Sequence, residues 1–329
     1  GRLGWPTAST VRPMLPPFAS LATATLESVT ADRLGIAITA IGITALLATG
    51  EVLRRAFAVR PELTRKFTHV SAGAIVMTFP WSLSSPWSVA VLAVLFGGVL
   101  ALGQATGLLG HVHAVSRRTS GAYYYPLAVF GTFWMSDGDA LLFCVPIAIM
   151  ALADTGAAIA GQRPGTTPYR VLDGARSLEG SLTFFGLTCA ILAGALAVAG
   201  TPGWPGMLLV MVVVATITTA VEAISVRGSD NLFIPYAAFL VLDRTVRLGL
   251  PDLSGWVEGM ILALAAVVLT SGRAGLTGAG AVTVFLIGTL AWALGGVAWT
   301  LPLVAVYTLA VVAGRGQRRF DLDEVFPTA

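Results

Sequence analysis

The sequence predicts an all-α, polytopic integral membrane protein with about nine to eleven transmembrane helices, and three observations predict it. Of 329 residues, 56% are hydrophobic and 11% are charged, so an ordinary water-facing surface cannot be built. The apolar residues gather into long runs separated by short polar turns. Basic residues occupy alternate turns, as expected where Lys and Arg stay on the cytoplasmic side. The net charge of +3 comes from loop arginines and not from a basic patch interleaved with exposed aromatics, which excludes a nucleic-acid partner. Lys66 is the only lysine and lies between Arg65 and Phe67, so a Walker A loop is excluded as well. Cys144 and Cys189 both sit in apolar runs and are expected as small packing residues.

Residues 1–33 carry Pro6, Pro13, Pro16 and Pro17 among scattered Ser and Thr, and they read as a leader or loosely ordered arm. Spans then follow near 34–50, 67–83, 86–109, 122–135, 139–161, 178–199, 205–225, 231–247, 256–271, 276–296 and 298–313. Those near 122, 231, 256 and 298 fall short of the roughly 20 residues that cross about 30 Å of hydrocarbon, and are expected to be tilted, re-entrant or merged with a neighbour. The turns after the first, third, fifth, seventh and ninth spans hold Arg54, Arg55, Arg60, Arg65 and Lys66; Arg117 and Arg118; Arg163, Arg170 and Arg176; Arg227; and Arg273. Arg315, Arg318 and Arg319 follow in the tail, while the turns at 84–86, 136–138 and 200–204 have no basic residue. Only Arg244 and Arg247, with Asp243 and Asp252 nearby, break the alternation. This pattern predicts an outside N-terminus and places every polar motif on the cytoplasmic face, where a nucleotide is available.

Residues 153–181 interrupt the apolar monotony most sharply: a helix carries Asp154 near its end, and a polar loop leads to Arg176, Ser177 and Glu179. An ionisable residue at the end of a span is expensive unless it is paired or functional. Gly161 and Gly165 form a GxxxG, for which close helix packing is a sufficient explanation. Ser177 can cap the following helix, whose first turn favours the Glu179 carboxylate. Upstream, Lys66 and His69 share a helical face in RKFTH at 65–69, where a cation can hold phosphate and an imidazole can take a proton; a basic membrane anchor is the competing explanation. Arg117 and Arg118 open RRTSGAYYYP at 117–126, whose tyrosines suit an aromatic belt, and His111 and His113 read as solvated loop residues. Downstream, EAISVRGSDNLFIP at 222–235 supplies Glu222, Asp230 and Asn231. With Asp154 and Glu179, that makes four carboxylates at one face, an oxygen donor set of the kind that holds Mg2+ together with substrate phosphates.

These four motifs, in this order, resemble the polyprenol kinase family of membrane enzymes (phytol, farnesol and dolichol kinases), which is related to the CDP-diacylglycerol synthases. The resemblance covers roughly residues 34–250, the expected catalytic domain. It implies phosphoryl transfer from a nucleotide, typically CTP, to an isoprenoid alcohol such as phytol, geranylgeraniol, farnesol or a polyprenol, with Mg2+ as cofactor. Mapped onto this chain, it implies His69, Lys66 and Asp154 as catalytic residues, and Arg65, Arg117, Arg118, Gly161, Gly165, Arg176, Ser177, Gly180 and Asn231 around the nucleotide and its phosphates. Asp154, Glu179, Asp230 and Glu222 are the implied metal ligands. Arg176 departs from the family, which usually has Lys before Ser-x-Glu-Gly, so a guanidinium fork replaces a point charge. Residues 251–329 are expected as additional helices; within them the stretch from 274 is similar to the start of a phytyl-phosphate kinase-type membrane protein, a second and truncated domain.

A cytidylyltransferase acting on a lipid phosphate would need the same nucleotide and metal. A small-solute transporter is the rival from another class and would show polar residues at the bilayer midplane with broken helices in matching halves. The Gly-rich stretch 97–110 around Gln104 is the place for such an opening. Alcohol chain length, nucleotide preference and oligomeric state are not encoded in these patterns.

Overall fold

The computed structural model describes residues 18–106, 121–163, 165–171, 174–200 and 203–313, which form twelve helices and one two-stranded hairpin. In chain order these are α1 (Phe18–Ala31), α2 (Arg33–Ala56), α3 (Pro61–Val76), α4 (Phe79–Ser82), α5 (Pro86–Thr106), α6 (Gly121–Ser136) and α7 (Ala140–Gly161). The hairpin β1 (Pro168–Val171) and β2 (Gly174–Ser177) follows. After it come α8 (Leu178–Ala199), α9 (Trp204–Ile224), α10 (Asp230–Val246), α11 (Leu250–Ala274) and α12 (Gly278–Ala313). The two spans expected at 276–296 and 298–313 are one helix broken at Gly296, whose φ of 55° and ψ of −147° are not helical.

Among the described residues, seven helices are long and apolar enough to cross a membrane: α2, α5, α7, α8, α9, α11 and α12. The chain is thus a multi-pass, all-α membrane protein, and its exposed Leu, Ile, Val and Trp side chains are the surface expected to meet lipid. Of the five shorter helices, α1 and α4 have 14 and 4 residues, α3 and α6 have 16, and α10 has 17. At 1.5 Å per residue the last three reach only about 25 Å, short of the roughly 30 Å of hydrocarbon. Helices α3, α6 and α10 carry the RKFTH segment, the end of the RRTSGAYYYP segment and the Asp230–Asn231 pair near their N-terminal ends.

Helix α7 is the centre of the bundle, packed against α3, α6, α8 and α10. Phe143, Ile147, Ile149, Met150, Ala151 and Ala153 along it are completely buried. Pro146 lies inside this helix and lacks an amide hydrogen; a π turn over Ile149–Ala153 follows it. In that turn the Asp154 N–H donates five residues back to the Ile149 carbonyl. An α-helical Asp154 would have taken Met150, whose carbonyl is instead approached by a side chain from α3.

Residues 18–31, expected as part of a loosely ordered arm, are helical, and Asp32 is tied into the bundle; residues 1–17 lie outside the described residues. The buried Asp32 carboxylate accepts from Ser84 N–H (2.9 Å), Ser84 Oγ–H (2.8 Å), Ser85 N–H (3.1 Å) and Ser88 Oγ–H (2.6 Å). Burial alone would raise its pKa, yet the bonds from Ser88, Ser84 and Ser85 hold it below the ordinary carboxylate value. Nearby, a side chain at Gly35 would strike the Ser82 carbonyl at 2.3 Å, so α2 and α4 touch through backbone. The knot fixes the starts of α2 and α5 relative to each other.

Asp32→Ala should leave four donors without their acceptor and cost about 1–3 kcal/mol, read as a lowered thermal unfolding midpoint in detergent. Because the folded pKa is depressed, the wild-type advantage is present above the unfolded value of about 3.9 and is lost as pH falls through the folded value.

Candidate functional site

A cavity of about 400 Å³ runs through the bundle between α2, α3, α5, α6 and α7, and the sequence motifs meet at one end of it. That end, the mouth, is polar. It is lined by Glu62, Arg65, Lys66 and His69 from α3, by Asp154 and Gln162 from the α7 region, by Arg176 from β2, and by Arg227, Asp230 and Asn231 from the α9–α10 turn and the start of α10. The remaining length is apolar, with Ile43, Leu47, Leu92 and Phe96 among its walls. The first turns of α3, α6 and α10 all open onto the mouth, through Glu62, Gly121 and Asp230. The positive ends of their dipoles make this end suited to an anion.

Arg176 ties the mouth together. Its Nη1 is 2.9 Å from Glu222 Oε1 and its Nη2 is 3.7 Å from Asp230 Oδ2. Nη2 also donates to the carbonyls of Glu222 and Ser225, at 3.4 and 3.3 Å. A guanidinium fork can serve these acceptors at once, whereas an ammonium has fewer fixed directions. Burial would lower the pKa of Arg176, but Glu222, Asp230 and Asp154 outweigh it and hold it above its usual value, so the group is permanently charged. Glu222 is buried to 3% exposure and spent on this pair.

On α3, Glu62 receives Arg65 at 2.8 Å and lies 3.6 Å from the Lys66 ammonium, four residues on. Burial would raise the Glu62 pKa, and these two cations bring it below its usual value. Lys66 is buried despite its charge, with its ammonium at the mouth. His69 Nε2 lies 3.1 Å from the Met150 carbonyl, the acceptor that the π turn leaves to it. A carbonyl only accepts, so Nε2 carries the proton and donates, and Nδ1 keeps its lone pair. The ring meets Tyr125 edge-on, with centroids 5.3 Å apart. Asn231 donates from Nδ2 to the Gly121 carbonyl at 3.0 Å, joining α10 to α6. A Cβ at Gly121 would come within 2.9 Å of that nitrogen, so the contact requires glycine or a shift of the helix. The turn before α10 has two consecutive left-handed residues, Arg227 at φ 51° and Gly228 at φ 84°.

The structure therefore gathers Arg65, Lys66, His69, Asp154, Arg176, Asp230 and Asn231 at one mouth, with Glu222 directly behind Arg176. Other expected residues lie elsewhere. The Glu179 carboxylate is outside the cavity lining and accepts from the Thr167 N–H at 2.8 Å and its Oγ–H at 3.0 Å. Ser177 caps α8, accepting from Gly180 N–H at 3.1 Å. Gly161 and Gly180 form the close contact of α7 with α8: a Cβ on either would meet Ser177 Oγ, at 2.7 and 3.0 Å. Gly165 lies in the loop beyond at φ 83° with open space around it. Arg117, Arg118, His111 and His113 lie outside the described residues.

No group of three or more His, Cys, Asp or Glu among the described residues could hold a metal ion, so the expected four-carboxylate cluster does not gather. Asp154 and Asp230 are the two carboxylates of that set that face the cavity. One or two carboxylates completed by phosphate oxygens is the usual Mg2+ arrangement, and this pair fits it. Sequence reading passed over Glu62, Gln162, Arg227 and Tyr125 as site residues. Glu62 had a signal in its four-residue spacing from Lys66, while Tyr125 was masked by the general expectation of interfacial tyrosines.

No protein-family model and no solved structure matches the chain. Among curated proteins it is similar to the phytol kinase of Synechocystis sp., with 32% identity over 212 residues, which make up 63% of this chain and 88% of that protein.

Removing Glu222 should leave the half-buried Arg176 charge under-compensated. Glu222→Ala is expected to cost about 2 kcal/mol, and a double-mutant cycle with Arg176→Ala should show coupling well above that of an exposed ion pair. Additive losses in thermal or chemical unfolding would mean that the pair does not join the hairpin to α9.

Proposed function

The chain belongs to the polyprenol kinase family that includes phytol kinase, and from that premise we propose that it transfers the γ-phosphate of CTP to the hydroxyl of an isoprenoid alcohol held in the membrane. The observation that carries this reading is the continuity of one cavity, charged at its mouth and apolar along its length. A nucleotide triphosphate and a lipid alcohol differ in the same way, and their reacting groups would meet where the two parts join.

The mouth lies on the cytoplasmic face in this reading, and the Arg33 end of α2 faces outside, in keeping with the Arg and Lys around the motifs. Arg65 and Lys66, steadied by Glu62, and Arg176, steadied by Glu222, would offset phosphate charge at fixed positions, which is most of what phosphoryl transfer requires. Arg117 and Arg118 would add further phosphate contacts. Asp154 and Asp230 would hold Mg2+, which when bound supplies positive charge to the phosphate oxygens. His69 would accept the alcohol proton at Nδ1, since Nε2–H is committed to Met150. The alcohol oxygen forms its bond to the γ-phosphorus as the bond to the β-phosphate oxygen breaks, and CDP leaves. The Met150 contact fixes the ring during this step without consuming the basic nitrogen.

Purified protein in liposomes, given γ-labelled CTP, Mg2+ and phytol, geranylgeraniol or farnesol, should place label in the lipid phase. Absence of label with CTP, ATP and UTP alike, in protein shown to be folded, would sink the kinase reading. Label entering lipid from the α-position with release of pyrophosphate would support a cytidylyltransferase instead. Asp154→Asn should abolish transfer while leaving expression intact. His69→Ala should lower kcat by roughly 10²–10⁴-fold with a much smaller change in the KM for nucleotide.

A further inference from the structure

The apolar part of the cavity ends on an aromatic floor. On α3 the lining residues Glu62, Arg65, His69, Ala72 and Val76 recur every three or four positions, a stripe that runs the length of the helix and continues to Phe79 at the start of α4. Val76 lies seven positions beyond His69, about 10 Å at helical rise, and Phe79 follows after a two-residue turn. Phe79 stacks on Phe143 with centroids 6.2 Å apart and 12° between planes, and meets Phe133 edge-on at 6.4 Å. Phe133 and Phe143 are themselves edge to face at 5.2 Å. Exposure is 2%, 2% and 0% for Phe79, Phe133 and Phe143, so each ring is held on every side. Of the three, Phe79 lines the cavity and the other two stand behind it, on α6 and α7. The Asp32 knot with Ser84, Ser85 and Ser88 lies just beyond, between the starts of α2 and α5, and prevents this end from spreading.

We propose that Phe79, backed by Phe133 and Phe143, is a length gauge that sets the longest isoprenoid tail able to lie fully inside the cavity with its hydroxyl at His69. The proposal rests on the kinase reading for the position of the hydroxyl. A tail reaching the floor fills the apolar limb; a longer one must lift its hydroxyl out of the mouth or leave the cavity sideways. Interlocked rings resist such a tail because moving Phe79 disturbs two buried neighbours. The gauge selects by excluding length and needs no polar contact with the tail.

Two substitutions act on it in opposite directions. Phe79→Ala deepens the limb. Ala93→Phe, on the α5 wall above the floor, shortens it without touching the aromatic cluster. Each variant is assayed with farnesol, geranylgeraniol, phytol and a longer polyprenol, both for turnover with CTP and for equilibrium binding of the labelled alcohol without nucleotide. The preference for longer over shorter tails should rise about tenfold in Phe79→Ala and fall about tenfold in Ala93→Phe. If Phe79→Ala fails to fold, Ala93→Phe alone decides the matter. Phosphorylation with a length profile unmoved by the variants would overturn the gauge and keep the reaction. Length-graded binding that shifts with the variants, without phosphorylation of any alcohol, would overturn the reaction and keep the gauge.

Discussion

The mouth of the cavity depends on burying charge beside lipid without leaving it unbalanced. Arg176 meets that constraint by placing one guanidinium among Glu222, Asp230 and two carbonyls at the end of α9. The hairpin is thereby fastened to both helices that form the far wall. Glu222 is nearly inaccessible, so removing either partner leaves the other with a desolvation cost that nothing repays. A lysine at this position would carry the same charge, but it could not reproduce the fork.

Three short helices bring polar residues to the cavity. Helices α3, α6 and α10 have 16 or 17 residues, and their N-terminal turns lie at the cavity mouth with Glu62, Gly121 and Asp230. The π turn before Asp154 has a related effect: it leaves the Met150 carbonyl to His69 and so fixes which nitrogen of the imidazole holds the proton. Backbone irregularity in a membrane helix is tolerated where protein buries it, and Ile149, Met150, Ala151 and Ala153 of this turn are completely buried.

The opposite end of the molecule is built for rigidity. Asp32 locks α2 to α5, and Phe133 and Phe143 interlock behind Phe79, the last cavity-lining residue of α3 and α4. The cavity is therefore polar at one end, closed at the other, and walled by helices whose outer faces carry exposed apolar residues. A lipid with a polar head is the kind of molecule such a shape admits.

Composition and apolar run length by themselves determined that this is an all-α, multi-pass membrane protein, because hydrocarbon forces the backbone into helices. The alternation of arginine-rich turns predicts a single face for the four motifs, and seven expected site residues, from three of those motifs, line one cavity mouth. Asp154 was legible because an ionisable group at the end of a span is rare. Only the tertiary structure decided which carboxylates face that mouth. Glu179 turned to Thr167 and Glu222 turned to Arg176, choices made by partners 12 and 46 residues away. The helix at 18–31 was hidden by the prolines before it, and the anchor that orders its end is Ser84–Ser88, more than fifty residues on. The apolar floor was invisible for the same reason: a phenylalanine in an apolar run looks alike whether it meets lipid, core or substrate, and only packing tells them apart.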